Sequence, residues 1–272
     1  MSHRSTPNTL PNYPVTYWQE NCREKLPRDL ILEEPLSIRV QGKPYSVVLR
    51  TPGDELPHVA GFSLAEGIID SIDDYTSLAF CDGEDTNVVT ITLKPSRLKK
   101  VSRHLDRRGF ISQTSCGLCG KELVKELYQF IKPLTNSVQL DLHRAYHCLK
   151  RLTDLQPLRK STRATHAAVL FNSEFDILSS AEDVGRHNAL DKAIGKVFLN
   201  RQLDQATLLA LSSRISYELV QKAARACIPV IIAASRPTAL ALDMATKLNI
   251  TLATQSKGEG LYIFCGEEQL IM

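Results

Sequence analysis

The chain has 272 residues, with 33 Lys+Arg against 30 Asp+Glu for a formal charge of +3, and 43% hydrophobic against 23% charged residues. This is an ordinary globular composition, sized for one large domain or two small ones, and it excludes disordered, collagenous and coiled-coil proteins. So small a charge gives no footprint of a general nucleic-acid binder. No stretch approaches the roughly 20 apolar residues of a membrane helix, and the start MSHRSTPNTL lacks the apolar region of a secretory signal. The expectation is a cytoplasmic protein that works neither on nucleic acid nor at a membrane. Its cysteines, Cys22, Cys81, Cys116, Cys119, Cys148, Cys227 and Cys265, are odd in number and are expected as thiols.

Residues 1–30 hold Pro7, Pro11, Pro14 and Pro27 and predict an extended arm with no core of its own. Leu36, Ile38 and Val40 alternate, Gly42 marks a turn, and Tyr45, Val47 and Leu49 alternate again, which predicts a hairpin. Asp54 is placed to cap a helix with Pro57 in its first turn, ending near Gly67. A second hairpin is expected from strands near 76–80 and 87–93 around Asp82-Gly83. A basic helix over 94–108 follows, and then Cys116-Gly117-Leu118-Cys119-Gly120 opens a helix with Leu123, Leu127, Phe130 and Ile131 on its apolar face. A break near 132–139 precedes a helix carrying Leu142, Tyr146, Leu149 and Leu152. The C-terminal half predicts strands near 165–171, 176–179, 207–211, 229–234, 250–254 and 261–265, with a hairpin at 165–179. Helices are expected near 185–198, 216–227 and 238–248. The fold class is therefore α/β. An α+β subdomain with two hairpins spans 31–136, and a largely parallel sheet covered by helices spans 137–272.

Two thiols in the first turn of a helix sit where unpaired N–H groups and the helix dipole favour thiolate. Gly117 and Gly120 keep bulk away from them, so another molecule can reach the sulfur. Three uses fit: attack on a persulfide or disulfide, ligation of structural zinc, or thioredoxin-like exchange. Zinc would need two more ligands, for which His143 and His147 at i,i+4, beside Cys148, are the candidates. The gap from Cys119 to His143 is about twice the roughly 12 residues of a zinc finger. The large C-terminal half does not fit a small redox domain.

In an open sheet, ligands bind beyond the carboxyl ends of parallel strands. Three such ends carry Ser212-Ser213-Arg214, Ser235-Arg236-Pro237-Thr238 and Gln255-Ser256-Lys257-Gly258-Glu259-Gly260. Hydroxyls, cations, glycines and helix N-termini suit a phosphate or diphosphate. Ser and Thr are also ordinary helix caps. Glu182 and Asp183 suit the start of the next helix, and His187 is a candidate acid/base or orienting group.

Several segments together resemble one family: Glu33-Glu34-Pro35-Leu36, GFSLAEGII at 61–69, CGLCG at 116–120, Thr165-His166-Ala167-Ala168, EDVGRHNALDK at 182–192 and SSRISYELVQKA at 212–223. They resemble the formate dehydrogenase accessory proteins, the FdhD family, over roughly residues 30–265. The resemblance implies a homodimeric sulfurtransferase. It would accept sulfur from a cysteine desulfurase as a cysteine persulfide. It would then pass that sulfur to the molybdenum of the bis(molybdopterin guanine dinucleotide) cofactor before insertion into formate dehydrogenase. By motif position Cys116 would carry the persulfide and Cys119 would assist. The C-terminal half resembles the cytidine-deaminase-like fold but lacks its zinc signature, so no bound metal of its own is expected. The family's cofactor loop falls on Gln255–Gly260. There Gln255 stands in place of an aromatic residue and Glu259 adds an acid, while Lys257 is available for a phosphate. With Ser213, Arg214, Arg236 and His187 this loop makes up the expected cofactor site. The competing class is a chaperone that only holds the cofactor, with a structural CxxC.

Overall fold

The computed structural model describes residues 8–81, 86–108, 131–135 and 138–272. It begins with a two-stranded antiparallel ribbon, β1 (Thr9–Gln19) and β2 (Cys22–Ile31), where an extended arm was expected. Pro14 faces Pro27 within it. A two-stranded ribbon tolerates proline because one side of each strand has no partner to receive a hydrogen bond. Most ribbon side chains are exposed.

The two expected hairpins form one sheet. β3 (Glu34–Val40) and β4 (Lys43–Arg50) join β5 (Tyr75–Phe80) and β6 (Val88–Leu93) in the order β4-β3-β6-β5, with β3 and β6 parallel. Alternation puts Leu36, Ile38 and Val40 of β3 and Val89, Ile91 and Leu93 of β6 in the core. Between the hairpins runs α1 (Glu55–Ala65). Asp54 does not cap it as expected: its backbone is left-handed, at φ 58°, and its side chain caps nothing. The carboxylate instead pairs with Lys196 at 2.7 Å. The basic helix is α2 (Pro95–Arg108), and Leu98, Val101 and Leu105 pack against the core. One of its cations is structural: buried Arg97 donates to the carbonyls of Ile68 (2.9 Å) and Gly67 (2.8 Å).

The C-terminal half holds β7 (Leu140–Asp141), α3 (Leu142–Arg151), α4 (Pro157–Thr162), β8 (His166–Phe171), β9 (Ile177–Asp183), α5 (Arg186–Leu199), β10 (Leu208–Leu211) and α6 (Tyr217–Arg225). It continues with β11 (Val230–Ala233), α7 (Ala239–Lys247), β12 (Thr251–Gln255), β13 (Leu261–Cys265) and β14 (Leu270–Ile271), which pairs with β7. Six strands form one sheet in the order β13-β12-β11-β10-β8-β9. It is mixed rather than largely parallel: only β10–β11 and β11–β12 run parallel. The reason is the connections. Helices α6 and α7 carry the chain across between β10, β11 and β12, whereas short loops join β8 to β9 and β12 to β13 and so reverse direction.

β10 and β11 are buried on both faces, and so read as continuous apolar runs, LLAL and VIIA. Leu209, Leu211, Ile231 and Ala233 face the cluster built with α1, α5, α6 and α7. Leu208, Ala210, Val230 and Ile232 face a second cluster with α3. The first cluster runs without a break into the four-stranded sheet. Its junction is the α1–α5 crossing, where glycines admit direct backbone contact. A Cβ on Gly61 would lie 2.0 Å from the Asp191 carbonyl oxygen, and one on Gly195 would lie 1.7 Å from that of Pro57. Among the described residues no helix is long and apolar enough to cross a membrane.

Candidate functional site at the sheet edge

β10, β11 and β12 end at Leu211, Ala233 and Gln255 on one edge of the six-stranded sheet. β9 runs the same way and ends there at Asp183, while antiparallel β8 and β13 begin there, at His166 and Leu261. The topology therefore gathers the three predicted loops, the EDVGRH segment and His166 along one rim.

The loops are tied to one another. Ser212 continues the β8–β10 pairing, its N–H donating to the Ala167 carbonyl (3.1 Å) and its hydroxyl accepting from the Ala167 N–H (2.8 Å). Buried Ser213 turns its hydroxyl onto the Arg214 carbonyl at 2.9 Å. Ile215 bridges to Pro237, which locks the second loop to the first. Thr238 is an ordinary cap, accepting from Ala241 N–H at 3.2 Å. Arg236 lies over the Tyr262 ring at 5.6 Å. In the third loop Ser256 N–H donates to the Gly260 carbonyl (3.0 Å), and Gly260 holds φ +143°. Lys257 and Gly258 are exposed, and exposed Glu259 reaches Lys150 at 3.7 Å.

His187, in the first turn of α5, sets Nε2 3.0 Å from a Glu218 carboxylate oxygen and 3.3 Å from the Ser216 hydroxyl. The Ser216 hydroxyl donates to the same carboxylate at 3.0 Å. The hydrogen bond from His187 holds the Glu218 carboxyl below its usual range, against the opposing effect of burial. On the other side of the rim, burial first, and then the charges of Arg159, Arg186, Arg214 and His187, hold the His166 imidazole below its usual value. Arg186, Arg214, Arg236 and Lys257 make no ion pair among the described residues. Unpaired cations concentrated on one rim create the positive potential that an anionic ligand requires.

The two acids of the EDVGRHNALDK segment diverge: Glu182 serves another helix, whereas Asp183 is bonded to the start of its own. Both lie in β9. Glu182 accepts from the N–H groups of Leu158 (2.8 Å) and Arg159 (2.9 Å) and from the Thr165 hydroxyl (2.6 Å), so it caps the short helix α4, which sequence patterning does not reveal. Asp183 is fully buried. It accepts from Thr51 N–H (3.1 Å), Gly185 N–H (2.9 Å) and Asn188 Nδ2 (3.0 Å), and it pairs with Lys192 at 2.7 Å. Asp191 and Lys222 form a second buried pair at 2.8 Å. These ions join the strand β4 end, α5 and α6, so most of the motif is architectural. Arg186 and His187 are the members that reach the rim.

Cys116 and Cys119 lie outside the described residues. His143 and His147 are exposed on α3, whereas Cys148 is buried on its core side, so the three do not converge as a ligand set. Burial pushes the Cys148 thiol up to about 11. Among the described residues no group of three or more His, Cys, Asp or Glu side chains is placed to hold a metal ion. His166, Arg186 and Arg159 belong to the rim but escape a reading of parallel strand ends, because His166 opens an antiparallel strand. The available signal was the polar start of the apolar run HAAVLF, beside the predicted crevice.

The family model described as FdhD/NarQ matches residues 31–271, nearly the whole of this fold. The chain belongs to the FdhD/NarQ family. It is 35% identical over 257 residues to a protein of Streptomyces avermitilis named sulfur carrier protein FdhD, across 90% of each chain. A protein of the same name from Mycolicibacterium paratuberculosis is 36% identical over 255 residues, covering 90% of this chain and 92% of that one. The crystal structure of a protein described as a formate dehydrogenase accessory protein, from Desulfotalea psychrophila, superposes with a TM-score of 0.77. It covers 97% of this chain and all of the other at 21% identity, which speaks for the α/β fold.

Proposed function

We propose that this protein is a sulfur carrier for formate dehydrogenase maturation, acting in the cytoplasm as a homodimer. The observation that carries the reading is the family match across residues 31–271, with CGLCG inside it at 116–120. The Cys116 thiolate attacks the outer sulfur of a cysteine desulfurase persulfide, and the desulfurase thiolate leaves. A proton completes the Cys116 persulfide. Cys119 thiolate then attacks the Cys116 sulfur, expelling the outer sulfur as hydrosulfide to the molybdenum of the bis(molybdopterin guanine dinucleotide) substrate. A disulfide is left between Cys116 and Cys119, and a cellular dithiol reduces it for the next cycle.

The rim supports the second half of this reading. It offers an anionic dinucleotide unpaired cations at Arg214, Arg236 and Lys257, backbone N–H groups in the Gln255–Gly260 loop, and His187 beside Ser216. Ser213 contributes through its backbone, since its hydroxyl is occupied. The loaded cofactor is cargo, released to formate dehydrogenase. The unpaired cations also favour a pure cofactor chaperone, and Cys116→Ala separates the two. A carrier keeps its affinity for guanine nucleotide and loses formate dehydrogenase activation; a chaperone keeps both.

A further inference from the structure

The charge of the chain is unevenly spread. Residues 142–164 carry six Lys or Arg against one acid, Asp154, while the remaining residues carry 27 Lys+Arg against 29 Asp+Glu. The centre of this excess is α3. Its core face is Ala145, Cys148 and Leu149, and every exposed position is a base: His143, Arg144, His147, Lys150 and Arg151. A solvated helix face ordinarily interleaves both signs, with acids three or four residues from bases. No acid lies within α3, and Arg144 stands in its first turn, at the positive end of the helix dipole, where a cation is unfavourable. The pattern does not serve the helix.

Nor do neighbouring carboxylates neutralise it. Arg144 lies over the Phe175 ring at 4.5 Å, Lys150 over Tyr146 at 4.5 Å and Arg151 over Phe171 at 5.9 Å. An aromatic ring orients a cation without cancelling its charge. Among the described residues the one ion pair of α3 joins Lys150 to Glu259 at 3.7 Å. That pair ties the helix to the Gln255–Gly260 loop, so the basic face adjoins the loop that the cofactor reading gives to the cargo. α4 extends the face with exposed Lys160 and Arg163, and Lys160 reaches Asp154 at 3.6 Å across the turn that follows α3. Asp141, Asp154 and Glu174 stand at its borders. A continuous polyanion would run into these acids, whereas a compact acidic patch on a folded protein fits between them.

We propose that the exposed face of α3, extended by α4, docks an acidic surface of the enzyme that receives the cofactor. The inference rests on the carrier reading for the identity of that partner, and it fixes the side from which the partner approaches. Arg and Tyr carry much of the binding energy at protein interfaces. Here Arg144, Arg151 and half-buried Tyr146 are already held by ring contacts or by each other's neighbours on the helix.

Binding of the full-length protein to purified, cofactor-free formate dehydrogenase is followed by biolayer interferometry. Affinity should fall about tenfold between about 0.05 and 0.3 M salt. Arg144→Glu with Arg151→Glu should weaken binding about thirtyfold, mostly through slower association, and Arg144→Gln with Arg151→Gln by less. Lys99→Glu with Lys100→Glu, an equal change of charge at exposed positions of α2, should leave affinity within about twofold. Loading of Cys116 by a cysteine desulfurase should be the same in every variant, which separates the receiving enzyme from the sulfur donor. Should the Glu pair fail to fold, the Gln pair carries the test. The proposal is overturned if the parent does not bind the enzyme at low salt, or if both α3 pairs bind as the parent does. An equal loss in the α2 pair, reduced Cys116 loading in the α3 pairs, or a short DNA duplex bound as tightly as the enzyme also overturns it. Sulfur absent from Cys116 of the parent sinks the carrier reading alone; a parent that carries sulfur there and does not bind the enzyme sinks this proposal alone.

Discussion

Removing Asp183 should damage the fold more than removing its partner Lys192. Lys192 is only 1% exposed and has two oxygens near its ammonium group, Asp183 Oδ2 at 2.7 Å and the Thr51 carbonyl at 2.6 Å. Asp183→Ala strands that cation in the core on a single carbonyl, and also strips acceptors from Thr51 N–H, Gly185 N–H and Asn188. Breaking a buried pair in this way costs about 3–5 kcal/mol, with roughly 1–3 kcal/mol for each buried donor left unsatisfied. Lys192→Met leaves Asp183 with three N–H donors and should cost less, about 2 kcal/mol. Adding Lys192→Met to Asp183→Ala should recover more than half of the charge penalty but not the lost backbone hydrogen bonds. Urea unfolding followed by fluorescence and circular dichroism gives the three differences and their coupling. Equal losses in the two single variants, or a double variant that is simply their sum, would refute the reasoning that an unpaired buried lysine dominates.

Gly195→Ala should cost about 3 kcal/mol or more, or yield insoluble protein, because its Cβ would sit 1.7 Å from a backbone oxygen that cannot swing aside; a thermal melt measures it. Glu218 has a depressed folded pKa, so its contribution is fully present above the unfolded value of about 4.3 and is lost as pH falls through the lower folded value. Glu218→Gln should therefore lower stability at neutral pH and flatten the acid limb below about pH 4.3, as read from unfolding midpoints against pH. Cys148, buried with its thiol pushed up to about 11, should resist iodoacetamide at pH 8, while exposed Cys22, Cys81 and Cys227 are alkylated; peptide mass mapping shows the order.

The C-terminal elements were legible because their patterns are unambiguous. HAAVLF, LLAL and VIIA are continuous apolar runs separated by helices with one apolar face, and the observed bounds of α5, α6 and α7 lie within a residue or two of those expected. Beyond the hairpin at 165–179, strand direction was not legible. Apolar runs look alike in parallel and antiparallel strands, and only the connection from Asn172 to Asp176 and the loop after Gln255 reverse β9 and β13. The β1–β2 ribbon was hidden by its prolines and by the lack of a buried face. Helix α4 was hidden because its cap, Glu182, comes from a strand distant in sequence.

At the site, the strand-end loops were readable from Arg, Ser and Gly at topological switch points. The acids of EDVG pointed to a helix start by charge alone; the structure shows Asp183 bonded to that start through Gly185, Asn188 and Lys192, and Glu182 turned to α4. His166 and Arg186 were not readable as a pair, since twenty residues of chain and a strand reversal bring them together.

The carrier account turns on one bond, sulfur on the Cys116 thiol. The full-length protein, reduced and metal-free, is incubated with a cysteine desulfurase and cysteine, then examined by intact mass and peptide mapping. The account predicts one added sulfur on Cys116, removed by a thiol reductant and absent in Cys116→Ala. An unchanged mass, or sulfur distributed over Cys22, Cys81 and Cys227 with Cys116 unlabelled, would contradict it.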